Sequence, residues 1–403
     1  MTRSADPRGF LPAFVTLNAL AGTSVGLAKV ATSLYSLQLR PSQLELSLTA
    51  AAQSVGVLCM SLPLGVLLDQ FGPLRLFVTG SALAGSFFLM TPWVTQPLLL
   101  AVVIACASFC LPGRFVAMNA VFMQQLGRIG HAKAGWLRGS HMIGFFLLGP
   151  GIAVSLVAAL RFSGAYAIIA LSFFASTALA PVVMRHYDRP LTQGDRRLTF
   201  FELGRQLRIW IGDPELRRIG AIEFCCQAVN QFYVFFIVII AVQAFGFAAG
   251  TAAGLVTAQG AGYVLALFSL GHLAVAIGEH RFYLLGFTCV AVALGLLGTS
   301  HRALSLWSGA ILLGLALGML QTLNIARFAK AGQRLGRGGV AGFITFIAPL
   351  GGLAGSLIGG LVGRIFTLQT FFLFMVPVFA ALALRRGITL GRGSARLALA
   401  EGQ

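Results

Sequence analysis

The chain has 403 residues, of which 57% are hydrophobic and only 10% are charged, and its mean hydropathy is +0.87. Soluble domains carry about 25% charged residues, so this composition excludes a protein that covers its whole surface with water-binding side chains. The formal net charge of +18 would suit nucleic-acid binding if it were gathered on one folded surface. The basic residues instead lie between long apolar segments, and nucleic acid is not an expected partner.

Twelve apolar segments of about twenty residues follow one another, which is the length that a helix needs to cross a hydrocarbon core of about 30 Å. No cleavable signal peptide is expected, because the first segment is too long and no small-residue cleavage site follows it. We therefore predict an all-α polytopic membrane protein. Its helices are placed at 11–36, 44–68, 74–93, 97–124, 135–160, 163–184, 217–243, 250–277, 281–299, 303–328, 338–363 and 367–384.

The basic residues are distributed unequally between the two sides of the membrane. With a cytoplasmic N-terminus, 23 of the 29 Lys and Arg residues fall on the cytoplasmic side, four fall on the other side, and Lys29 and Arg114 lie inside helices. Cytoplasmic loops carry an excess of Lys and Arg. We therefore expect a multi-pass protein of the cytoplasmic (inner) membrane with both termini in the cytoplasm, and membrane lipids as partners.

An internal duplication divides the chain. Ala52, Gln53, Gly56, Gly65, Gly72 and Arg75 recur 206 residues later as Ala258, Gln259, Gly262, Gly271, Gly278 and Arg281. Parallel repeats of this kind are one known transporter architecture. We predict two pseudo-symmetric six-helix bundles at 1–184 and 217–384, a cytoplasmic linker at 185–216 and a tail at 385–403. The linker is either a short helix on the membrane surface or a solvated tether.

The loop after the second predicted helix carries Gly65, Asp69, Gly72 and Arg75 in a fixed spacing. This segment resembles the signature loop of the major facilitator superfamily, although its second-half copy has Val275 in place of the aspartate. The resemblance implies a secondary transporter that works by alternating access. It also implies that these four residues control conformational change, with Asp69 meeting the N-terminus of helix 11 when the cytoplasmic side is closed.

Polar side chains inside the membrane are costly and therefore indicate function. They are concentrated on helices 1, 4, 7 and 10, which line the central cavity in the family that the chain resembles. The candidate substrate-binding residues are Lys29, Arg114, Asn119, Gln227, Asn230, Gln231, Gln321 and Asn324. Each polar amide has the alternative of tying helices together. Arg114 has the further alternative of neutralising Glu223, and Lys29 that of extending outward to the membrane surface.

Two intramembrane cations against one anion favour a small organic solute with negative charge. Glu223 is the only acidic residue inside a predicted helix away from its ends and is therefore the candidate proton carrier, with His141 as the alternative. Gly149 and Pro150 resemble the kernel of an exporter motif and favour efflux by proton antiport. The alternatives are an uptake permease for an anionic metabolite or metal chelate, and a sensor that does not transport.

An enzyme is not expected, because the usual intramembrane catalytic motifs are absent from the sequence. No cofactor or metal is expected either. Cys106 and Cys110 lie one helical turn apart, but small thiols inside helices are ordinary packing residues. The working unit is expected to be a monomer that exchanges a small-molecule solute and protons.

Overall fold

The computed structural model describes residues 7–61, 63–129, 135–184, 208, 211–335 and 337–401, and the described chain is helical with no strand. The membrane spans keep the numbers of the predicted helices. Span 1 is Pro7–Gln38, span 2 is Gln43–Met60 with Pro63–Phe71, span 3 is Pro73–Met90, span 4 is Pro97–Ile129, span 7 is Pro214–Phe245, span 8 is Ala249–Ser269 with Gly271–Ile277, span 9 is Glu279–Gly298, span 10 is Ala303–Leu335, span 11 is Arg337–Ile365 and span 12 is Thr370–Glu401.

Spans 5 and 6 are two helices joined by a sharp kink without a connecting loop. Together they comprise Gly135–Met142, the π-helical turn Ile143–Leu148 and Gly149–Met184. The apolar part of this segment has 49 residues and would be about 74 Å long if it were one straight helix, more than twice a hydrocarbon core. The kink is at Arg161, with φ 56° and ψ −177°, and it divides the segment into two crossings. The described chain therefore contains the twelve crossings that the sequence predicts.

Several helix ends differ from their predicted positions. Span 2 bends by 54° between its two helices. Span 7 begins at Pro214, three residues early, because the Asp213 carboxylate caps it by accepting a 2.8 Å hydrogen bond from the Leu216 amide. Span 12 continues to Glu401, so the predicted tail from 385 begins inside a helix. The predicted surface helix around Trp210 lies outside the described residues except for Arg208 and the last residues before span 7.

The backbone repeats at the offset that the sequence shows. The described residues with positive φ are Arg40 (49°), Arg161 (56°), Gly72 (77°), Gly246 (65°) and Gly278 (82°). Four of these five form two pairs 206 residues apart, one after spans 1 and 7 and the other before spans 3 and 9. The ψ angles of Gly72 and Gly278 are 162° and 152°, a combination with φ that is essentially restricted to glycine.

Spans 1–6 pack as one bundle and spans 7–12 as another, and the bundles meet along spans 2 and 11, 1 and 7, and 5 and 8. We call the side that carries Pro7, Pro214 and Glu401 the terminal face, which is the predicted cytoplasmic side. Near the opposite face spans 2 and 11 are in such close contact that a methyl group on Gly360 would overlap the Ser47 side chain. The bundles are therefore closed against each other there.

Span 1 lies close to span 5. A methyl group on Gly149 would lie 2.8 Å from Gly26 Cα, so any side chain at this position would push the two helices apart. Gly149 and Pro150 follow the π-helical turn directly, at the point where span 5 returns to α-helix. The exporter-like motif thus has a packing role in this fold.

Candidate functional site

A cavity of about 360 Å³ lies between the two bundles, in the terminal half of the molecule. Cavities of this size hold small organic ligands. Spans 1, 2, 4 and 5 form one wall and spans 7 and 11 form the other. The polar and aromatic residues that line it are Asn18, Lys29, Gln53, Ser54, Ser61, Arg114, Phe115, Arg138, His141, Phe145, Glu223, Gln227, Gln231 and Thr345.

Lys29 joins the two bundles by hydrogen bonds at the end of the cavity that is farthest from the terminal face. Its ammonium donates a 2.7 Å hydrogen bond to Gln231 Oε1 on span 7, and Gln231 Nε2 donates a 3.2 Å bond back to Gln53 Oε1 on span 2. The ammonium also lies 5.5 Å from the centroid of the Phe145 ring. Lys29 forms no ion pair with any described carboxylate, so its charge is met only by neutral dipoles and an aromatic face.

Arg114 is directed away from the opposite wall. Its two terminal nitrogens each donate a 3.1 Å hydrogen bond to Ser24 Oγ, and one of them also lies 3.3 Å from Ser176 Oγ. Phe173 and Phe77 cover the guanidinium, with ring centroids 4.3 and 5.5 Å from its central carbon. The side chain is 3% exposed. Arg114 thus joins spans 1, 4 and 6 within one bundle.

Glu223 lies on the wall opposite the cations and is 1% exposed. Its Oε1 accepts a 2.8 Å hydrogen bond from Gln227 Nε2, and its Oε2 accepts a 2.8 Å bond from Asn324 Nδ2. Both residues belong to the same bundle as Glu223. The alternative in which Arg114 neutralises Glu223 is therefore not what the structure shows, because amide donors hold the carboxylate and Arg114 binds serines.

The remaining predicted site residues divide between the cavity and its surroundings. Gln227 and Gln231 line the cavity, whereas Asn119, Asn230, Gln321 and Asn324 do not. Asn230 Oδ1 accepts a 3.2 Å bond from Gln259 Nε2 and so joins spans 7 and 8. Gln321 is 5% exposed inside the second bundle. Asn230 and Asn324 thus tie helices together within the second bundle.

The motif that connects spans 2 and 3 lies at the terminal face. Gly65 and Asp69 are on the short second helix of span 2. Gly72, with its positive φ, precedes span 3, and Arg75 is exposed in the first turn of span 3. Asp69 is half-buried and forms no ion pair or hydrogen bond with a described residue. Its predicted partner is the start of span 11, where residue 336 just before the span and the side chains of 337–339 lie outside the described residues. The gating role of the motif stays a prediction.

Three residues that line the cavity are not in the predicted substrate-binding set. Gln53 completes the bridge from Lys29, and its recurrence in the internal repeat as Gln259 was the available signal. Arg138 and His141, one turn apart on span 5, line the cavity although the sequence assigns them to the cytoplasmic end of the helix. The Nε of Arg138 and the Nδ1 of His141 are buried without a hydrogen-bond partner.

Histidine, cysteine, aspartate and glutamate side chains form no group of three or more that could hold a metal ion within the described ranges. Cys106 and Cys110 are half-buried free thiols. The Cys110 thiol lies 3.5 Å from the Cys106 carbonyl oxygen, an ordinary contact between successive turns of a helix.

Two six-helix bundles around a central cavity are an architecture of membrane transporters. The sequence matches the Major Facilitator Superfamily over residues 14–216 and 219–392. The chain belongs to that superfamily, which confirms the predicted resemblance and indicates a transporter and not an enzyme.

Comparison with curated protein sequences gives no significant match. Among solved structures, the fold is similar to the crystal structure of a mutant form of the nucleoside transporter NupG, with a TM-score of 0.77, 15% identity, and coverage of 94% of this chain and 99% of that one. A second crystal structure of nucleoside transporter NupG gives a TM-score of 0.76 at 13% identity, covering 95% and 99%. At these identities the likeness shows the shared fold.

Proposed function

We propose that this chain moves a small organic anion across the cytoplasmic membrane by alternating access, coupled to protons through Glu223. The distribution of basic residues supports a cytoplasmic terminal face. With that orientation the cavity lies on the cytoplasmic side and the packing of Ser47 against Gly360 closes the outer side. The structure then corresponds to the inward-facing state of the transport cycle.

The charge of the cavity wall is the observation that carries the proposal of an anionic solute. Lys29 and Arg138 lie on one wall, and neither forms an ion pair with a described residue. A charge inside a membrane protein needs a partner or water. A carboxylate or phosphate on the solute would supply that partner, and it would compete with Gln231 for the Lys29 ammonium. Breaking this bridge would loosen the contact between the bundles and so link binding to movement.

Proton coupling rests on Glu223, the only carboxylate that lines the cavity among the described residues. Efflux is the direction that the Gly149-Pro150 motif favours. Uptake is the alternative, and the likeness to the nucleoside transporters adds nucleosides to the solutes that merit testing. Amide side chains such as Gln53, Gln227 and Gln231 could hydrogen-bond such an uncharged solute.

The test is transport by purified protein in proteoliposomes, with orientation fixed by reporter fusions at Arg197 and after Arg386. Counterflow of labelled citrate, succinate, a sugar phosphate, ferric citrate and uridine would be measured with and without a pH gradient. We expect an anion to be carried, Lys29→Gln to weaken its binding by about tenfold or more, and Glu223→Gln to abolish gradient-driven transport while exchange continues.

The outcomes separate the alternatives. Transport of uridine alone, unaffected by Lys29→Gln, would replace the anionic solute with a neutral one. Undiminished gradient-driven transport in Glu223→Gln would move the coupling site to His141. Both fusions should read cytoplasmic, and opposite readings would refute the twelve-helix arrangement. Binding without any movement across the membrane would indicate a sensor.

A further inference from the structure

A chain of hydrogen bonds runs from Glu223 away from the cavity and into the second bundle. Asn324 Nδ2 donates to Glu223 Oε2 at 2.8 Å, and the Tyr283 hydroxyl on span 9 donates to Asn324 Oδ1 at 3.0 Å. Glu223, Asn324 and Tyr283 are 1%, 0% and 0% exposed. Neither Asn324 nor Tyr283 lines the cavity. These hydrogen bonds therefore hold the carboxylate on its side away from the cavity.

This series of hydrogen bonds determines which atoms donate and which accept. An ionised carboxylate only accepts hydrogen bonds, whereas a primary amide has one accepting and one donating end. With the Tyr283 hydroxyl donating to Oδ1, the amide of Asn324 must present its nitrogen to Glu223. The same amide could accept a hydrogen bond from a protonated Oε2 only after turning over. Its nitrogen would then face the Tyr283 oxygen, which can accept, but the buried Tyr283 O–H would be left without a described acceptor.

Gln227 binds the other carboxylate oxygen, but its surroundings differ from those of Asn324. It donates to Oε1 at 2.8 Å, but it lies one turn further along span 7 and lines the cavity. No second described residue fixes the orientation of its amide. Gln227 can therefore turn over and accept from a protonated Oε1 without breaking another protein hydrogen bond. The two oxygens of Glu223 are thus chemically unequal.

We propose that Asn324 and Tyr283 are positioning residues that hold Oε2 of Glu223 as an acceptor and direct the exchangeable proton to Oε1, the oxygen next to the cavity. The inference rests on the proposed role of Glu223 as the proton carrier and adds how its proton is placed. Loading at Oε1 keeps the proton within reach of cavity water and solute. It also leaves the contact with span 10 intact in both protonation states.

Cys226 on its own span and Tyr263 on span 8 lie close enough to interact electrostatically with Glu223. Lys29 on span 1, Arg114 on span 4, and Arg138 and His141 on span 5 line the same cavity as Glu223. Behind the chain, the guanidinium carbons of Arg327 and Arg386 each lie 5.0 Å from the centroid of the Tyr283 ring, and Arg327 pairs with Glu279. This cluster holds the ring of Tyr283 and leaves the hydroxyl directed at Asn324.

The experiment is an infrared titration of the full-length protein in lipid nanodiscs, from about pH 4 to 9. The band of the protonated Glu223 carboxyl is assigned by its loss in Glu223→Gln, so no transported solute is needed. We expect Asn324→Ala to raise the pH midpoint of this band by about 1–2 units, because the carboxylate loses a charge-assisted donor. Tyr283→Phe should raise it by about 0.5 unit by freeing the amide to turn.

Because Tyr283 acts through Asn324, the double variant Asn324→Ala with Tyr283→Phe should have the same pH midpoint of the Glu223 band as Asn324→Ala alone. The matched control is Tyr233→Phe, since the Tyr233 hydroxyl is equally buried in the same bundle but donates 2.9 Å to the Leu255 carbonyl. It should leave the midpoint unchanged. If Asn324→Ala does not fold, the isosteric Tyr283→Phe and its control decide the question.

Each result has a separate meaning. A Glu223 band that neither Asn324→Ala nor Tyr283→Phe moves would overturn the positioning role and leave the proposed function intact. An equal shift in Tyr233→Phe, or additive shifts in the double variant, would also overturn it. If no titrating band disappears in Glu223→Gln, then the proton-carrier role itself fails and the inference fails with it.

Discussion

Replacing Gly360 with alanine should push the protein out of the state seen here. Gly360 is on span 11 near the opposite face, where the Cβ of an alanine would overlap the Oγ and Cβ of Ser47 on span 2. The Ser47 hydroxyl cannot turn aside freely, because it donates a 2.6 Å hydrogen bond to the Gln43 carbonyl. The two helices belong to different bundles, so the clash is relieved when the bundles separate at this face.

The size of the effect follows from the overlap. Overfilling a packed contact costs about 1–3 kcal/mol, which corresponds to a change of about 5- to 150-fold in the ratio of the two conformations. Ser47→Gly removes the overlapping atoms and leaves Ser47 Cα as the nearest atom, 3.3 Å from the added methyl. The added glycine costs some helix stability in both conformations, but the double variant should return to the original ratio.

The assay is the distance between spin labels at Gln96 and Arg302, exposed residues that follow spans 3 and 9 at the opposite face. The six native cysteines would first be replaced. Gly360→Ala should add a longer-distance population that Ser47→Gly reverses. Gly295→Ala is the control, because no atom lies within 4 Å of its added methyl. An unchanged distance distribution in Gly360→Ala, or one that Ser47→Gly fails to restore, would refute the reasoning.

Four further substitutions test other parts of the structure. Asp69→Asn should slow transport in proteoliposomes without weakening equilibrium binding of the solute, and a loss of binding would contradict a gating role. Arg114→Lys should lower the free energy of unfolding in detergent by about 1–2 kcal/mol, because an ammonium cannot reproduce the forked contact with Ser24; unchanged stability would refute that. Arg40→Gly should raise the same free energy by about 0.5–1 kcal/mol by relieving a positive φ, whereas Gly246→Ala should lower it by about 1 kcal/mol.

The helices could be predicted from the sequence because each must be apolar over a fixed length. The boundaries depend on local contacts that composition does not show. Asp213 caps span 7 early, and the break between spans 5 and 6 is a kink at a single residue, Arg161. The bend in span 2 falls between Met60 and Pro63, where a proline begins a new helix.

The candidate site was predicted only in part: spans 1, 4 and 7 line the cavity as expected, but span 10 does not, and spans 2, 5 and 11 do. Sequence gives the depth of a residue along its helix, whereas its neighbours decide which way it points. Arg114 has the depth of a cavity residue, yet Ser24 and two aromatic rings draw its guanidinium into one bundle. Asn324 supports Glu223 from behind and does not line the cavity. Arg138 was missed because its basicity looked like that of a cytoplasmic loop.

The internal repeat separates what holds the fold from what distinguishes the site. Positions with unusual backbone geometry keep their conformation across the 206-residue offset, as Gly72 and Gly278 show. The charged cavity residues do the opposite. Lys29 corresponds to Phe235 and Glu223 corresponds to Leu17, and both counterparts are buried apolar residues that are 1% exposed. Two identical bundles would present the same charges to the cavity from both sides, whereas here one wall carries cations and the other a carboxylate. Breaks in the repeat at costly polar positions are therefore a better guide to this transport site than the repeat itself.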